Sequence, residues 1–442
     1  MDTLFKQLLI LILVLITVFS FRKKYENLVI LGITVRLFIP FYVRVGPLSL
    51  ATITFLLIGF AYILARYILT PRTTPYNFIS MKIITLFFLL SIISLLGVNN
   101  FRSLAFTLKD FIYSFILGII ILNESKNEKT VKKYRKALLI IGILVAGYGL
   151  FNYITGFNPY ITVLSFQYPD QRFFTYEEQR FGFSARVQST LFHTITFGGY
   201  MMLFAIWTLY YILSKTKNKL VYFLSFILFA LTGFLSGSRS VLMILIFGVF
   251  YLFLFQKIGG KIKMIAITIL FLMVGVSANK QISNYVLSTV FFWNDEYAQQ
   301  AEVKGSSAEL RIQQLEAVIE SVPVYRILVG LGPTYFDNHP KDPRILGAES
   351  ALFQLYLNYG ILGTFLWFGL FYYIYHKNNQ IRKIYSCKSS IILNSLTVGY
   401  VFFILATGFM DMTFMYIVLY SILLKTHQIA LKNAGIYNNC KL

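Results

Sequence analysis

Apolar runs of about twenty residues recur from end to end of this chain, each long enough to cross the hydrocarbon core of a bilayer as a helix. They lie near 4–21, 27–45, 48–66, 78–97, 103–122, 137–154, 190–213, 220–235, 240–255, 263–279, 350–375, 390–408 and 412–425. None shows the period-2 alternation of a strand, which argues against a β-barrel. Composition agrees, since 57% of the 442 residues are hydrophobic and only 13% are charged. A soluble fold of this size cannot hide so much apolar surface. The sequence therefore predicts an all-α fold, a polytopic integral membrane protein with about 12–13 transmembrane helices. The second run carries Arg36, Pro40 and Arg44. It is either a full span or one only partly in the membrane, and without it the basic residues that follow the first run fall outside.

The formal net charge of +22 would point to nucleic acid in a soluble chain. Here the positive charge sits in short connectors between apolar runs, such as RKKYE (22–26), KNEKTVKKYRK (126–136), KTKNK (215–219) and HKNNQIRKIYSCK (376–388). No nucleic-acid partner is expected, and the positive-inside rule keeps such loops in the cytoplasm. The complementary connectors are poor in lysine, with none from Ala137 to Ser214. One membrane domain, 1–442, results, with a smaller external loop at 155–189 and a large one at 280–349. Cys387 and Cys440 both fall on the cytoplasmic side and suggest neither a disulfide nor a metal site. The first run lacks a small-residue cleavage site and ends in basic residues, as an anchor does.

Within the large loop, SSAELRIQQLEAVIESV opens with Ser306-x-x-Glu309, a capping-box signal for a helix over about 307–322. Glu309, Gln313, Glu316 and Glu320 line one face, while Leu315, Val318 and Val322 line the opposite one. Arg311 shares that apolar stripe, so it is expected to face inward.

A second arginine, Arg239, interrupts two apolar runs in SGSRS, on the side where arginine is statistically disfavoured. A snorkelling side chain explains it as readily as a site does. Its neighbours suit an anion: Gly237 permits a tight turn, Ser236, Ser238 and Ser240 bring hydroxyls, and a helix N-terminus follows. ARVQSTLFHTITFGGY sets Arg186 before another span on the same side. Arg186, Arg239 and Arg311 together look like the lining of a phosphate or diphosphate pocket, with Arg172 and Arg180 as rivals for the same task. Secondary candidates are His193, two helical turns after Arg186, and Lys109 with Asp110 inside a span; a hydrogen bond to a neighbouring helix and a structural ion pair explain these equally well. Phe173, Phe174, Tyr176, Phe181 and Phe183 suit sugar stacking, though an interfacial aromatic belt accounts for them too.

SGSRS between two spans resembles the signature of the O-antigen ligase and O-antigen polymerase family. SSAELRIQQLEAVIESVPVYRILVGLGPTYF is similar to that family's external helix and glycine-containing loop, GAESALFQLYLNYGILG to the start of its next span, and ARVQSTLFHTITFGGY to an earlier motif. The likeness covers about residues 140–375, in the right order. It implies a membrane glycosyltransferase, a polysaccharide polymerase or ligase, at the outer face of a bacterial cytoplasmic membrane. Its donor would be a polyprenyl-diphosphate-linked oligosaccharide, used without metal or other cofactor. Arg186, Arg239 and Arg311, with Ser238 and Ser240, would then hold the departing diphosphate.

Ligases of that family carry a histidine near the start of the span after the large loop, whereas this chain reads Gly347-Ala348-Glu349-Ser350. Glu349 is either the base that replaces it or an ordinary acidic residue at a helix start. The missing histidine favours a polymerase of a cell-surface polysaccharide such as a capsule over a ligase. A flippase for the same lipid-linked glycan is the rival from another class, but it calls for charges spread through a central cavity. Membrane lipid and other polysaccharide-export proteins are the further partners expected.

Overall fold

The computed structural model describes residues 2–22, 24–39, 43–45, 48–68, 77–98, 100–167, 186–191, 193–213, 218–255, 308–337, 339–345, 350–385, 388–408 and 410–433. Helices α1 (Asp2–Phe21) and α2 (Tyr25–Phe38) lead to a short antiparallel pairing of Arg44–Val45 with Leu48–Ser49. Then come α3 (Leu50–Ile63, ending in a π-turn), α4 (Phe78–Leu96), α5 (Asn100–Glu124), α6 (Glu128–Thr155) and α7 (Pro159–Gln167). The second half holds α8 (Thr194–Leu213), α9 (Lys219–Phe234), α10 (Arg239–Phe255), α11 (Ala308–Glu320), α12 (Ala351–Tyr385), α13 (Lys388–Ala406) and α14 (Thr413–Asn433). Six of these, α4, α5, α6, α8, α12 and α14, are long and apolar enough to cross a membrane. The apolar run at 263–279 lies outside the described residues.

Departures from the expected segments have local causes. α2 stops after 14 residues, about 21 Å of helix against the ~30 Å of a hydrocarbon core, so it is short of a full span. α6 begins nine residues earlier than the apolar run because Asn127 caps it, accepting from Thr130 N at 2.8 Å. A Glu128–Lys132 pair at 2.8 Å extends its first turn. The stretch 155–189 is not loop throughout, since α7 lies within it.

Burial is concentrated on α8, where every residue from Thr196 to Tyr211 is covered. A helix apolar all round belongs in the middle of a bundle, and α9, α10, α13 and α14 surround it. Gly198 and Gly199 let two neighbours come close. A Cβ on Gly198 would stand 2.2 Å from Ser236 Oγ, and one on Gly199 2.3 Å from Met412 Cε. α10 and α13 run antiparallel, with Ser395 Oγ donating to Gly248 O (2.7 Å) and Phe247 stacked on Phe402 (3.8 Å). Continued along both helices, this register brings Ala406 level with the first turn of α10. The outward faces of α4, α6, α9 and α12 expose large apolar side chains, among them Phe88, Leu144, Leu224 and Phe365.

α12 is broken at Gly360 (φ 64°, ψ −164°). The loop at 327–332 supplies the bonds the helix loses there: Leu331 N to Leu357 O (2.7 Å), Gly332 N to Asn358 O (3.1 Å) and Ile361 N to Ile327 O (2.9 Å). The same loop accepts Val98 N at Leu331 O (3.0 Å), so it is pinned to the α4–α5 turn as well. Above it, Ala317, Val318 and Val322 pack with Leu331, Ile345 and Leu357. Arg344 forks onto Asp342 (2.8 Å) and Glu320 (2.7 Å), clasping the end of α11. Those hydrogen bonds hold the Asp342 carboxyl below its usual range. Leu315, expected on the inward stripe, is instead 45% exposed, and Gln314 is buried in its place. The packed face is rotated about one residue from the apolar stripe, with Arg311 reaching the Ala406 carbonyl at the end of α13.

Packing against Ser236 predicts that Gly198→Ala lowers stability by about 1–3 kcal/mol. Gly147→Ala, where a Cβ would meet nothing within 4 Å, should be neutral or gain up to about 1 kcal/mol. Thermal unfolding of the two purified variants checks both signs.

Candidate functional site

The segment before α8 is not helical. It lies along the SGSRS turn, with Val187 N donating to Leu235 O (3.2 Å) and Arg186 Nε to Ser236 O (3.0 Å). Ser189 takes a left-handed φ of 54°, a strain of about 1–3 kcal/mol for a residue with a Cβ. Two bonds hold it there, from Ser189 Oγ to Val145 O (2.7 Å) and from Asn158 Nδ2 to Ser189 O (2.9 Å).

The turn itself forms because Gly237 adopts φ 63°, so the chain reverses directly from α9 into α10. Arg239 is then the first residue of α10. A cation at a helix N-terminus opposes the macrodipole and costs roughly 0.3–1 kcal/mol. An anion at the same spot would be attracted by both the guanidinium and the helix end. Ser238 and Ser240 hold their hydroxyls 3.0 Å apart beside it. Ser236 is not available: it is buried against Gly198 and donates to Gly233 O at 2.7 Å.

Arg311 does face inward. Its NH2 donates to Ala406 O at 3.2 Å, at the end of α13 that lies level with the start of α10. Arg186 and Arg311 are thus each anchored to a backbone carbonyl, that of Ser236 in the SGSRS turn and that of Ala406 at the end of α13, at the end of the bundle where α10 begins. Arg172, Arg180 and Glu349 lie outside the described residues.

His193 and Arg186 were expected to share a face by helical spacing, and that spacing does not apply, since α8 starts only at Thr194. His193 is the residue before the helix. Its Nδ1 accepts from Ile195 N (3.1 Å) and its carbonyl from Phe197 N (3.0 Å), which is the geometry of an N-cap. Lys109 pairs with its own neighbour Asp110 at 3.6 Å and lies 3.9 Å over the Phe106 ring, and among the described residues it makes no ion pair to another helix.

One network had no sequence signal beyond an arginine in an apolar run. Arg36, near the end of α2, is 5% exposed and ion-paired with Asp411 in the turn before α14. Its Nε donates to Tyr200 Oη at 3.2 Å, and its guanidinium lies 4.2 Å over the Tyr113 ring. Asp411 also lines a cavity of about 350 Å³ between α4, α5 and α12, with Asp110 on its wall.

Compared with known proteins, the chain matches no family model and no curated sequence.

The N-cap geometry makes a prediction for His193. Asparagine caps well, so His193→Asn should leave stability within about 0.5 kcal/mol, whereas His193→Leu should cost about 1 kcal/mol. Unfolding midpoints of both variants measure this.

Proposed function

We propose that the chain is a polytopic membrane protein of a bacterial cytoplasmic membrane that polymerises polyprenyl-diphosphate-linked oligosaccharides into a cell-surface polysaccharide. Membrane residence is supported by the six long apolar helices and by the apolar side chains their outer faces expose. The basic connectors favour one orientation. Arg66 and Glu124 pair at 2.7 Å, and Lys133 reaches Glu26 at 3.6 Å, at the end those connectors occupy, which would face the cytoplasm. The arginine-lined turn belongs to the opposite end.

The observation that carries the enzymatic reading is the meeting of Arg186 with the SGSRS turn and of Arg311 with the facing end of α13. They involve three of the four motifs through which the sequence resembles the O-antigen ligase and polymerase family. In the proposed reaction a sugar hydroxyl of the acceptor attacks the anomeric carbon of the donor glycan. The bond from that carbon to the diphosphate oxygen breaks, and polyprenyl diphosphate departs with the electron pair. Arg186, Arg239 and Arg311 stabilise the charge developing on it, where preorganised cations contribute most. The hydroxyl proton passes to a carboxylate, for which Glu349 is the candidate. Clustering of the cations at one end, rather than midway through the bundle, speaks for transfer over transport. The absence of a histidine at 349 speaks for a polymerase over a ligase.

Deleting the gene should leave single repeat units on the cell's lipid carrier, whereas loss of a ligase leaves long unattached chains. Arg239→Ala should abolish polymer while the protein still accumulates in the membrane. Arg239→Lys should rescue poorly, because an ammonium is a point charge and cannot fork onto two phosphate oxygens. Full activity of the lysine variant would make Arg239 a positional charge only. Glu349→Gln should slow polymerisation by on the order of a hundredfold or more if the carboxylate is the base. A rate near the parent's places the base elsewhere.

A further inference from the structure

The cavity beside the 406–413 connection has a lining unlike the arginine cluster. Two carboxylates, Asp110 and Asp411, face it together with the amides of Gln354 and Asn358, and Phe106 and Trp367 form part of its wall. Gln354 and Asn358 stand one helical turn apart on α12 and so share a face. Both are half-buried, and neither side chain has a hydrogen bond among the described residues. Buried in the same wall, Trp367 Nε1, Tyr113 Oη and Asp411 Oδ2 also have no hydrogen-bond partner among the described residues. Buried polar groups in this state call for one. Asn358 and Tyr359 sit where α12 breaks at Gly360, so the wall includes the end of a discontinuous helix.

Charge balance narrows the ligand. Among the described residues no lysine or arginine lines the cavity, and the two carboxylates on its wall repel an anion. A cation is disfavoured too, because each carboxylate already has one: Asp411 is ion-paired with Arg36, and Asp110 with Lys109 at 3.6 Å. What remains is donor and acceptor capacity without net charge, set among aromatic rings in a volume typical of small-molecule sites. A neutral, polyhydroxylated ring uses all of it: hydroxyls for the amides and carboxylates, and an apolar face for the aromatics.

We infer that this cavity binds a neutral sugar, and, resting on the polymerase reading, that it is the acceptor subsite. Arg311 holds Ala406 O, five residues before Asp411. The acceptor would therefore lie across one short connection from the donor's diphosphate.

The test has two arms, both on the full-length protein in lipid nanodiscs free of glycoside detergent. In the first, maltose, lactose and N,N′-diacetylchitobiose are titrated calorimetrically into the parent and into Gln354→Leu, Asn358→Leu and Arg239→Ala. At least one disaccharide should bind the parent and Arg239→Ala alike, and bind each leucine variant roughly tenfold more weakly. Gel filtration and unfolding midpoints establish that the variants fold; where one leucine variant does not, the other and Trp367→Phe carry the comparison. No binding of any disaccharide, or equal binding by the leucine variants, overturns the site. Saturation by sodium or choline chloride instead, lost in the leucine variants, assigns the cavity to a cation and also overturns it. In the second arm, polymerisation of lipid-linked repeat units should show a raised KM for the acceptor in the leucine variants with donor KM unchanged. An unchanged acceptor KM beside weakened disaccharide binding removes the acceptor role and leaves the sugar site. A parent that binds disaccharide but makes no polymer refutes the polymerase reading alone.

Discussion

Two adjacent glycines on the most buried helix govern how near the functional turns can approach each other. Gly198 admits Ser236 of the SGSRS turn and Gly199 admits Met412 of the turn before α14. The next residue, Tyr200, accepts from Arg36, which pairs with Asp411. Three consecutive positions of α8 thus gather α2, the α9–α10 turn and the α13–α14 connection around one axis. A side chain at Gly198 would press on Ser236 Oγ and Cβ and push the SGSRS turn outward. One at Gly199 meets the flexible end of Met412, which would have to swing aside in an interior packed as densely as a crystal.

Much of this was legible in the sequence. The apolar runs gave nearly every helix, because period and length are local properties. Gly237 announced its turn, and the amphipathic pattern over 307–322 announced α11, although the Ser306 of the capping box lies outside the described residues. Arg311 facing inward could be read from the stripe of α11, but the exposure of Leu315 could not, since the rotation of a helix is set by what it packs on. Arg36 was readable only as an awkward charge in a short apolar run. Its partner is far away in sequence, and an ion pair across that distance has no periodic signature. His193 differs from the helical spacing because a strained Ser189 and the His193 cap hold RVQST out of the helix. The cavity was invisible for a further reason. Asp110, Gln354 and Asp411 come from three elements, and nothing in any one of them signals the others.

The pair of the buried Arg36 and the half-buried Asp411 is better understood as a device for position than for stability. Desolvating two charges costs several kcal/mol per ion, and their attraction at best about offsets it. Removing Asp411 is a different matter, because it strands the buried Arg36 charge at a cost of up to about 3–5 kcal/mol. The pair therefore ties the end of α2 to the 406–413 connection in one geometry and penalises any other. That connection carries, at one end, the carbonyl that holds Arg311 and, at the other, the carboxylate that lines the cavity.

Anchoring arginines through backbone carbonyls also bears on why these positions are arginine. Arg186 engages Ser236 O through Nε, and Arg311 engages Ala406 O through a terminal nitrogen. A guanidinium has five donors in a rigid plane, so one bond to a carbonyl orients the whole fork. An ammonium bonded to the same carbonyl keeps its charge there but fixes no plane. Stabilising a departing diphosphate depends on donors already aimed at where charge will develop, with no reorganisation as the bond breaks. On the proposed reading, main-chain oxygens at the ends of α9 and α13 supply that aim. Those oxygens are held by the helices that bury α8, so the orientation of the cations follows from the packing of the bundle itself.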